Sequence, residues 1–449
     1  MIYKQLDASQ AQRKVLLVDA CRNDPRPPGS RDARSHEQSL KGLSDQLKAL
    51  PEGILALSSS AAGQVSWEDT TLGHGVFVHY VMQGLSAKAD AEGNRDGSVS
   101  LLELYAYANV QTRRWVLHNR PGYIQTPELL GRVTGDFELG RRIAPPLAVS
   151  PFNATAAQGY QQAWAQYLGQ PVELTNSLGM KLVLIPPGEF MMGSSESEAD
   201  RSSDEAQHRV RITKPYYLGM HEVTVGQFRA FVEARSYRTE AERDGKGGYG
   251  LGSDGNWSQK PEYTWRNVGF SQGEDHPVVN VSWNDAAAFI EWLSEKDRRS
   301  YRLPTEAEWE YGCRGGTTTA YQYGTDPEGL VQVGNVADGT AKAKFSGWST
   351  ISARDGYVFT APGGSFRANG FGFYDMHGNV FEWCSDWYGD YVMAQVGDPT
   401  GPTAGSLRVF RGGGWFSLAG FCRSASRRWS TPDYRYYNLG FRLASNSVD

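Results

Sequence analysis

Short apolar runs alternating with amphipathic stretches characterise the first third of the chain. Residues 14–21 (KVLLVDAC) and 54–60 (ILALSSS) each have the pattern of a buried strand that ends in polar residues. Residues 40–50 and 76–85 carry apolar positions at helical spacing. Buried strands that alternate with helices predict an α/β domain with parallel strands.

The last two-thirds of the chain has a different pattern. Residues 179–193 read as two apolar strands around a Pro-Gly turn, and residues 216–223 read as another strand. Thr224, Ser282 and Thr305 each stand three residues before Gln, Asp or Glu and open an apolar helical pattern. Glycine, aromatic and turn residues dominate the rest of the chain. These features predict an α+β domain with long loops.

A change of composition separates the two patterns. An Ala-Pro-Pro sequence and then a stretch of Gln, Ala and Tyr occupy the region between them. We therefore predict a first domain over residues 1–140, a linker or connecting helix over 141–172, and a second domain over 173–449. At 449 residues the chain is long enough for each domain to bury its own core.

Overall composition excludes several classes of function. Lys and Arg number 45 against 50 Asp and Glu, so the net charge of −5 does not predict a nucleic-acid partner. No run of about 18 apolar residues predicts insertion into a membrane. The first residues lack the order of a secretion signal, so we expect a cytoplasmic protein. The four cysteines are widely spaced without a CxxC pair, which argues against a disulfide scaffold or structural zinc.

Cys21 comes directly after the first predicted strand, where open α/β sheets place reactive groups. On its own it could be a small buried hydrophobe or a nucleophile. The segments 18–25 (VDACRNDP), 57–61 (LSSSA) and 73–77 (GHGVF) resemble the second half of bacterial caspase-like (metacaspase or orthocaspase) domains. The resemblance covers roughly residues 10–135 and implies a partial caspase-like domain.

This resemblance places Cys21 at the position of the catalytic nucleophile. The family's general base is a histidine on a strand upstream, but no histidine precedes Cys21 here. His74 comes after the cysteine and opens a helix, so we do not assign it that role. Two alternatives stay open: a fragment whose missing front half carried the base, or a non-catalytic remnant. Asp19 resembles the acidic residue that gives metacaspase relatives a preference for basic cleavage sites.

Residues 92–103 (EGNRDGSVSLLE) fit a 12-residue calcium loop followed by a helix. Glutamate stands at the first position, where aspartate is usual, and only the following helix is well formed. The alternative is an acidic turn that caps this helix. The predicted Ca²⁺ ligands are Glu92, Asn94, Asp96, Ser98 and Glu103.

The order of motifs in the last two-thirds resembles the formylglycine-generating-enzyme (sulfatase-modifying factor) family. That family has a variant of the C-type lectin fold, and the resemblance covers about residues 173–444. The matching stretches are 186–193 (PPGEFMMG), 222–224 (EVT), 277–283 (PVVNVSW), 302–310 (RLPTEAEWE), 378–383 (GNVFEW), 411–413 (RGG) and 438–442 (NLGFR).

Oxidase members of this family hold Cu(I) between two cysteines that are five residues apart, since paired soft thiolates select this ion. In this sequence Ser417 stands at the first position and leaves Cys422 alone. We therefore expect no copper. Cys313, Cys384 and Cys422 are predicted to be core residues.

The same resemblance implies two structural calcium sites. Side-chain and backbone oxygens would hold the ions, and Val, Tyr, Met and Gly would contribute carbonyls alone. Asn and Asp at these positions could equally be turn formers. The implied residues are Asn335, Val336, Asp355 and Tyr357 for the first site, and Asp375, Met376, Gly378 and Val380 for the second.

Aromatic and small residues alternate near the C-terminus, as in antibody-like binding surfaces. We expect Tyr434, Tyr436 and Tyr437 to be exposed. The layout resembles the variable proteins of diversity-generating retroelements, in which a lectin-type scaffold presents a mutagenised segment. Ordinary non-catalytic relatives share the same anchors, so both interpretations stay open. The predicted ligand-binding residues are Phe416, Ser417, Leu418, Ala419, Trp429, Ser430, Tyr434, Tyr436 and Tyr437.

The sequence supports three candidate functions from different classes. The favoured one is a non-catalytic receptor or display protein whose lectin-fold surface recognises a protein or other macromolecular ligand. The second is a caspase-like cysteine protease regulated by the lectin-fold domain, against which the missing histidine weighs. The third is a copper-dependent formylglycine-generating oxidase, against which the missing cysteine weighs.

Overall fold

The chain divides into two compact units, Met1–Ile143 and Ala144–Asp449. The computed structural model describes residues 14–19, 50, 54–61, 64–131, 136–141 and 144–446.

Short strands form three small sheets in the described part of the first unit. They are β1 (Lys14–Val18), β2 (Ile54–Ser58), β3 (Glu68–Asp69), β4 (His74–Gly75), β5 (Ser98–Ser100), β6 (Glu128–Leu130) and β7 (Glu138–Arg141). The main sheet has the order β1-β2-β6, and the pairs β3-β4 and β5-β7 complete the set. β1 and β2 are parallel, with Leu16 opposite Ala56. The prediction that these two apolar runs are parallel strands is confirmed, but only β2 is buried, whereas the residues of β1 are half-buried or exposed.

Helices cover the apolar side of these strands. They are α1 (Val76–Gln83), a π-helical turn (Gly84–Lys88), α2 (Ala89–Glu92) and α3 (Leu101–Asn119). Leu57, Phe77 and Leu104 meet in the core of this unit. The helix predicted over residues 40–50 lies outside the described residues except for its last position. No described helix combines the length and the apolar character needed to cross a membrane.

The second unit contains three larger sheets and a hairpin. Their orders are β16-β22-β13-β10-β9, β18-β12-β11-β8 and β20-β19-β17-β21, with β14-β15 as the hairpin. The strands are β8 (Ala148–Val149), β9 (Glu173–Thr175), β10 (Lys181–Ile185), β11 (Gly188–Met192), β12 (His208–Ile212), β13 (Tyr216–Gly219), β14 (Gly248–Leu251), β15 (Trp257–Lys260), β16 (Tyr301–Arg302), β17 (Phe381–Trp387), β18 (Val396–Gly397), β19 (Arg408–Arg411), β20 (Arg427–Ser430), β21 (Leu439–Gly440) and β22 (Ala444–Asn446).

The two strands predicted over residues 179–193 are present as β10 and β11, but they enter different sheets. Pro186 and Pro187 stand between them. Proline has no N–H to donate to a strand ladder, so the chain leaves one sheet here and enters the next.

Each predicted capping box opens a helix of the second unit. The Thr224, Ser282 and Thr305 side chains accept from the backbone N–H groups three residues later. The second unit's helices are α4 (Ala154–Leu168), α5 (Val225–Arg235), α6 (Glu240–Arg243), α7 (Trp283–Asp297), α8 (Glu306–Arg314) and α9 (Gly339–Lys344), with 3₁₀ turns at Pro327–Gln332 and Ala419–Cys422.

Helices α5 and α7 pack their apolar faces together. Phe228 on α5 and Phe289 on α7 stack with their ring centroids 5.9 Å apart, and both side chains are fully buried. Burying a phenylalanine contributes roughly 1.5–3 kcal/mol. This contact is therefore one of the main sources of stability in the larger core.

The segment predicted as a linker or connecting helix belongs to the second unit. It contains α4, and Trp164 on this helix packs into the larger core. Gln161 Nε2 donates to the carbonyls of Leu184 and Phe371, both at 3.0 Å. β8 pairs with β11, so Ala148 also lies in a sheet of this unit. The domain therefore begins near residue 144.

Candidate ligand-binding site

A cavity of about 550 Å³ lies over one face of the sheet β20-β19-β17-β21. Phe410 on β19 is opposite Arg428 on β20, and Phe381 on β17 is beside Leu439 on β21. Directly paired residues point to the same side of a sheet, so these four side chains form the cavity floor. The remaining lining residues come from loops: Trp348, Ser349, Phe416, Ser417, Leu418, Phe421, Tyr434, Tyr436 and Asn438.

Aromatic rings dominate the lining of this cavity. Tyr434 and Tyr436 stack with centroids 5.7 Å apart and an interplanar angle of 16°. The Arg428 guanidinium lies 4.3 Å from the centroid of Phe421. Arg428 is the single charged residue among those that line the cavity. The site therefore suits a largely apolar ligand group and one negative charge.

The structure brings together five of the nine predicted ligand-binding residues. They are Phe416, Ser417, Leu418, Tyr434 and Tyr436. Ala419, Trp429, Ser430 and Tyr437 are not among the lining residues.

Trp429 lies away from the cavity because side chains alternate along a strand. Its neighbour Arg428 faces the cavity, so Trp429 faces the other side of β20. There its ring stacks on Tyr388 with centroids 3.9 Å apart. The Trp429 side chain is therefore part of a second aromatic surface and not part of the cavity.

The expectation that Tyr437 is exposed was wrong. Its side chain is only 2% exposed. Trp257 on the β14-β15 hairpin lies against it with ring centroids 4.0 Å apart, and Trp415 lies at 5.5 Å. The hairpin is far from Tyr437 in sequence, so local pattern could not show this burial. Tyr434 and Tyr436 are half-buried.

Eight lining residues were not predicted from the sequence. Four of them form the cavity floor, and three of these four are apolar strand residues of the kind that is ordinarily found in a core. Phe410 and Leu439 do belong to the core, and they also line the site because the cavity lies over this face of the sheet. The eight are Trp348, Ser349, Phe381, Phe410, Phe421, Arg428, Asn438 and Leu439.

Ser417 and Cys422 stand where oxidase relatives place their two cysteines. The Gly414 N–H donates to Ser417 Oγ at 3.0 Å, so the hydroxyl stabilises the local turn. Cys422 is fully buried, and burial raises the pKa of its thiol to about 12. A hard hydroxyl and a protonated thiol do not fit Cu(I), which prefers paired thiolates.

Cys313 and His377 form a buried contact, with Sγ 3.7 Å from Nε2. The imidazole is already engaged, because Nδ1 donates to the carbonyl of Cys422 and Nε2 accepts from the N–H of Gln322. Burial lowers the pKa of His377 to about 4 and raises that of Cys313 to about 12. Both groups are neutral at pH 7, which makes the pair a packing contact and not a nucleophile with its base.

The first implied calcium site is built around Asp355. Its carboxylate accepts N–H groups from Val336 at 3.1 Å and Tyr357 at 2.7 Å. Burial, with a contribution from the nearby Asp338 carboxylate, raises the pKa of Asp355 to about 7. Asn335 is fully buried, and its Oδ1 has no hydrogen-bond partner. A buried amide oxygen without a partner, one residue before the Val336 N–H that a half-buried carboxylate accepts, fits a hard cation.

The second implied site has a similar signature. Asp375 is buried, and its Oδ2 accepts the Gly364 N–H at 2.8 Å while Oδ1 has no partner. Burial raises the pKa of this carboxyl to about 6. Met376, Gly378 and Val380, the other implied residues, come soon after Asp375 in the chain, and the Met376 carbonyl contacts Cys313 Sγ at 3.7 Å. The donor types again fit calcium.

The 92–103 loop in the first unit directs its carboxylates to different partners. Glu103 accepts the N–H groups of Asn94 and Ser100, both at 3.0 Å. Asp96 accepts from Ser98, and Glu92 accepts from a side chain on α3. The carboxylates of Glu92, Asp96 and Glu103 do not come together as a group that could hold a metal. This geometry favours the acidic turn that caps α3.

The predicted nucleophile Cys21 lies outside the described residues. Asp19, two residues earlier, accepts a hydrogen bond from Ser66 Oγ at 3.2 Å. His74 lies on β4, and its Nδ1 is buried without a partner. Its ring centroid is 5.6 Å from that of His79.

Family comparison decides the classification of the larger unit. The model of the sulfatase-modifying factor enzyme 1-like domain matches residues 170–447, more than half of the chain. The chain belongs to this family. The caspase-domain model matches residues 2–138. Together these matches confirm the predicted pairing of a caspase-like domain with a sulfatase-modifying-factor domain of C-type lectin-like fold.

Individual proteins are similar to the same part of the chain. The chain is 36% identical over 291 residues to the formylglycine-generating enzyme of Streptomyces coelicolor, covering 59% of this chain and 89% of the relative. The structure of PvdO from Pseudomonas aeruginosa is 30% identical with a TM-score of 0.50, covering 61% and 97% of the two chains. Variable protein 1 of Treponema denticola is 25% identical with a TM-score of 0.46, covering 62% and 100%.

We propose that the sulfatase-modifying-factor unit binds calcium through the Asp355 and Asp375 sites. When Ca²⁺ at about 100 times its Kd is added to protein treated with a chelator, each occupied site should stabilise the fold by about 2.7 kcal/mol. This corresponds to a rise in Tm of roughly 5–10 °C. Calorimetry of the full chain with and without Ca²⁺ measures it.

Two controls accompany this experiment. Asp355→Asn should remove part of the Ca²⁺-dependent rise, whereas Asp254→Asn, in the exposed hairpin turn, should leave it unchanged. Identical Tm values in chelator and in Ca²⁺ would contradict the proposal.

Proposed function

We propose that this protein is a non-catalytic binding protein whose lectin-fold cavity recognises a protein ligand. The observation that carries the proposal is a cavity of about 550 Å³ that is lined by seven aromatic residues. Aromatic rings supply large contact areas at low entropic cost, and such rings are the usual anchors of protein recognition. Loops contribute most of the lining, so their side chains can vary without altering the sheet beneath them.

The thiol chemistry supports binding over oxidation. Ser417 replaces the first cysteine of the copper pair, and its hydroxyl is engaged by a backbone N–H. Cys422 is buried and protonated at pH 7. Fold alone does not establish activity, and the side chains here lack the donor pair that formylglycine formation requires.

A bulky side chain that fills the cavity should weaken ligand binding. Ser349 is exposed at the lining, so Ser349→Trp places an indole in the cavity with little effect on the core. Ser346→Trp, on an exposed position of the same loop that does not line the cavity, is the matched control. In a selection from a peptide-display library, wild type and Ser346→Trp should enrich the same peptides.

Ser349→Trp should bind those enriched peptides at least tenfold more weakly, a loss of about 1.4 kcal/mol. Anisotropy titrations with the synthetic peptides measure the ratio. Equal affinity of all three proteins would show that the cavity is not the binding site.

Diversification of this surface by a retroelement is a finer proposal. Five of the nine predicted ligand-binding positions line the cavity, as a diversified binding site requires. Sequencing the DNA beyond the gene tests it. A near-copy of the final codons beside a reverse-transcriptase gene is the expected result, and a single unrepeated copy is the opposing one.

The caspase-domain match favours a second candidate function, a cysteine protease regulated by the lectin-fold unit. It predicts cleavage of a fluorogenic peptide after arginine, lost in Cys21→Ala. Equal cleavage by the wild type and this variant would contradict the protease function. So would the absence of cleavage by both proteins when any upstream coding sequence is included.

A further inference from the structure

We infer that the cavity binds the C-terminus of a peptide whose last residue has a large apolar side chain. This inference rests on the proposed binding function and specifies its ligand. One charged group in the largely apolar lining carries it, Arg428 on the sheet.

Arg428 supplies the charge that a carboxylate would meet. No ion pair between described residues includes Arg428, and no Asp or Glu lines the cavity. Its guanidinium rests over the Phe421 ring at 4.3 Å, which holds the planar group beside the apolar walls. Arginine in such a setting pairs with a carboxylate through two parallel hydrogen bonds. A ligand amine would instead face repulsion from the one charge present.

Asn438 also lines the cavity, but its Nδ2 is closed off from solvent and is not available to a bound ligand. Arg428 is therefore the group that would hold the ligand's carboxylate.

The last residue of a peptide carries both groups that the cavity suits, a carboxylate for Arg428 and an apolar side chain for the aromatic lining. Its carboxylate and side chain share one Cα, so both can enter a single cavity. The volume of about 550 Å³ accommodates one aromatic residue and part of its neighbour. The rings of Phe381, Phe410 and Tyr436 would then contact the apolar side chain, while the chain before it leaves through the loops.

Three fluorescein-labelled peptides test the inference on the full-length protein by anisotropy: GSGSGF with a free C-terminus, GSGSGF amide, and GSGSGS with a free C-terminus. The free phenylalanine peptide should bind, and amidation or replacement of the phenylalanine should each weaken binding at least tenfold. Arg428→Gln should reduce the free peptide to the affinity of the amide, whereas Arg428→Lys should retain part of the preference. Arg238→Gln, at an exposed position away from the cavity, is the control.

Each other outcome has a definite meaning. Equal binding of the free and amidated peptides overturns the carboxylate inference and leaves the proposed function intact. If phenylacetate competes with the same affinity as the free phenylalanine peptide, the inference of a peptide C-terminus is overturned. The ligand is then a small acid. If none of the three peptides binds, the inference is overturned. The comparison of wild type with Ser349→Trp tests the proposed function separately.

Discussion

Replacing Arg411 by methionine should lower the free energy of unfolding of the C-terminal unit by about 3–5 kcal/mol. Arg411 lies on β19 and is fully buried. Its guanidinium donates to the Glu310 carboxylate and to the carbonyls of Ser424, Ala425 and Ser426. Methionine fills much of the volume of the arginine but makes none of these hydrogen bonds.

The expected cost comes from the acids left behind. Glu310 is fully buried between Arg314 and Arg411. Burial alone would raise its pKa, but the two guanidiniums hold the pKa below its usual value. Without Arg411, Glu310 keeps a single guanidinium partner, that of Arg314, and three backbone carbonyls lose a hydrogen-bond donor. A buried charge with reduced pairing costs far more than a lost surface contact.

Urea unfolding of the full chain measures the loss. Arg235→Met is the matched control, because Arg235 pairs with Glu295 at the surface, where both side chains are about half exposed. Such pairs contribute about 0–1 kcal/mol. The double variant Arg411→Met with Glu310→Leu should be no more stable than Arg411→Met, since it leaves the buried Arg314 guanidinium without its carboxylate. If Arg411→Met costs no more than Arg235→Met, the buried network does not stabilise the fold as described.

Local elements of this protein were predictable because their signals are local. The Thr224 and Ser282 boxes each satisfy backbone N–H groups within one turn, so the helices can be predicted from four consecutive residues. The parallel pairing of the first two apolar runs is equally predictable from their composition. Motif order then identified both families, which no single element could do.

The candidate site could not be predicted to the same extent because it is assembled over long range. Phe381 and Phe410 come from strands that are separated by 20 residues, and only the pairing of these strands in the sheet places both side chains on the cavity floor. Tyr437 shows the same limit, because the Trp257 ring that buries it belongs to a distant hairpin. Arg442 stands in a terminal motif, yet its buried pair with Glu382 is visible only in the fold.

Raising the pH from about 4.5 to 7.5 should destabilise the C-terminal unit through Asp386. This residue lies on β17 and is 4% exposed. Its Oδ2 accepts the Glu306 N–H at 3.0 Å and the Ser385 hydroxyl at 2.9 Å. Burial, with a contribution from the Glu306 carboxylate, raises the pKa of Asp386 from 3.8 to about 7.

Proton binding sets the direction of this effect. Between pH 4 and 7 the folded protein holds a proton on Asp386 that the unfolded chain has lost, so stability falls as the pH rises through this window. Asp386→Asn is neutral at every pH and keeps an oxygen to accept both hydrogen bonds. The free energy of unfolding of the variant relative to wild type should therefore rise by on the order of 2–4 kcal/mol across the window.

Urea unfolding of both proteins at pH 4.5, 6 and 7.5 gives this difference directly. Asp355 and Asp375 also have raised pKa values, but their effects cancel because both proteins contain them. Asp254→Asn should show no such rise, because this exposed acid has a pKa below its usual value, held there by hydrogen bonds from Asn256. If the free energies of unfolding of Asp386→Asn and wild type differ by the same amount at all three pH values, Asp386 is ionised throughout. Interactions beyond its bonds to Glu306 and Ser385 would then have to offset its burial.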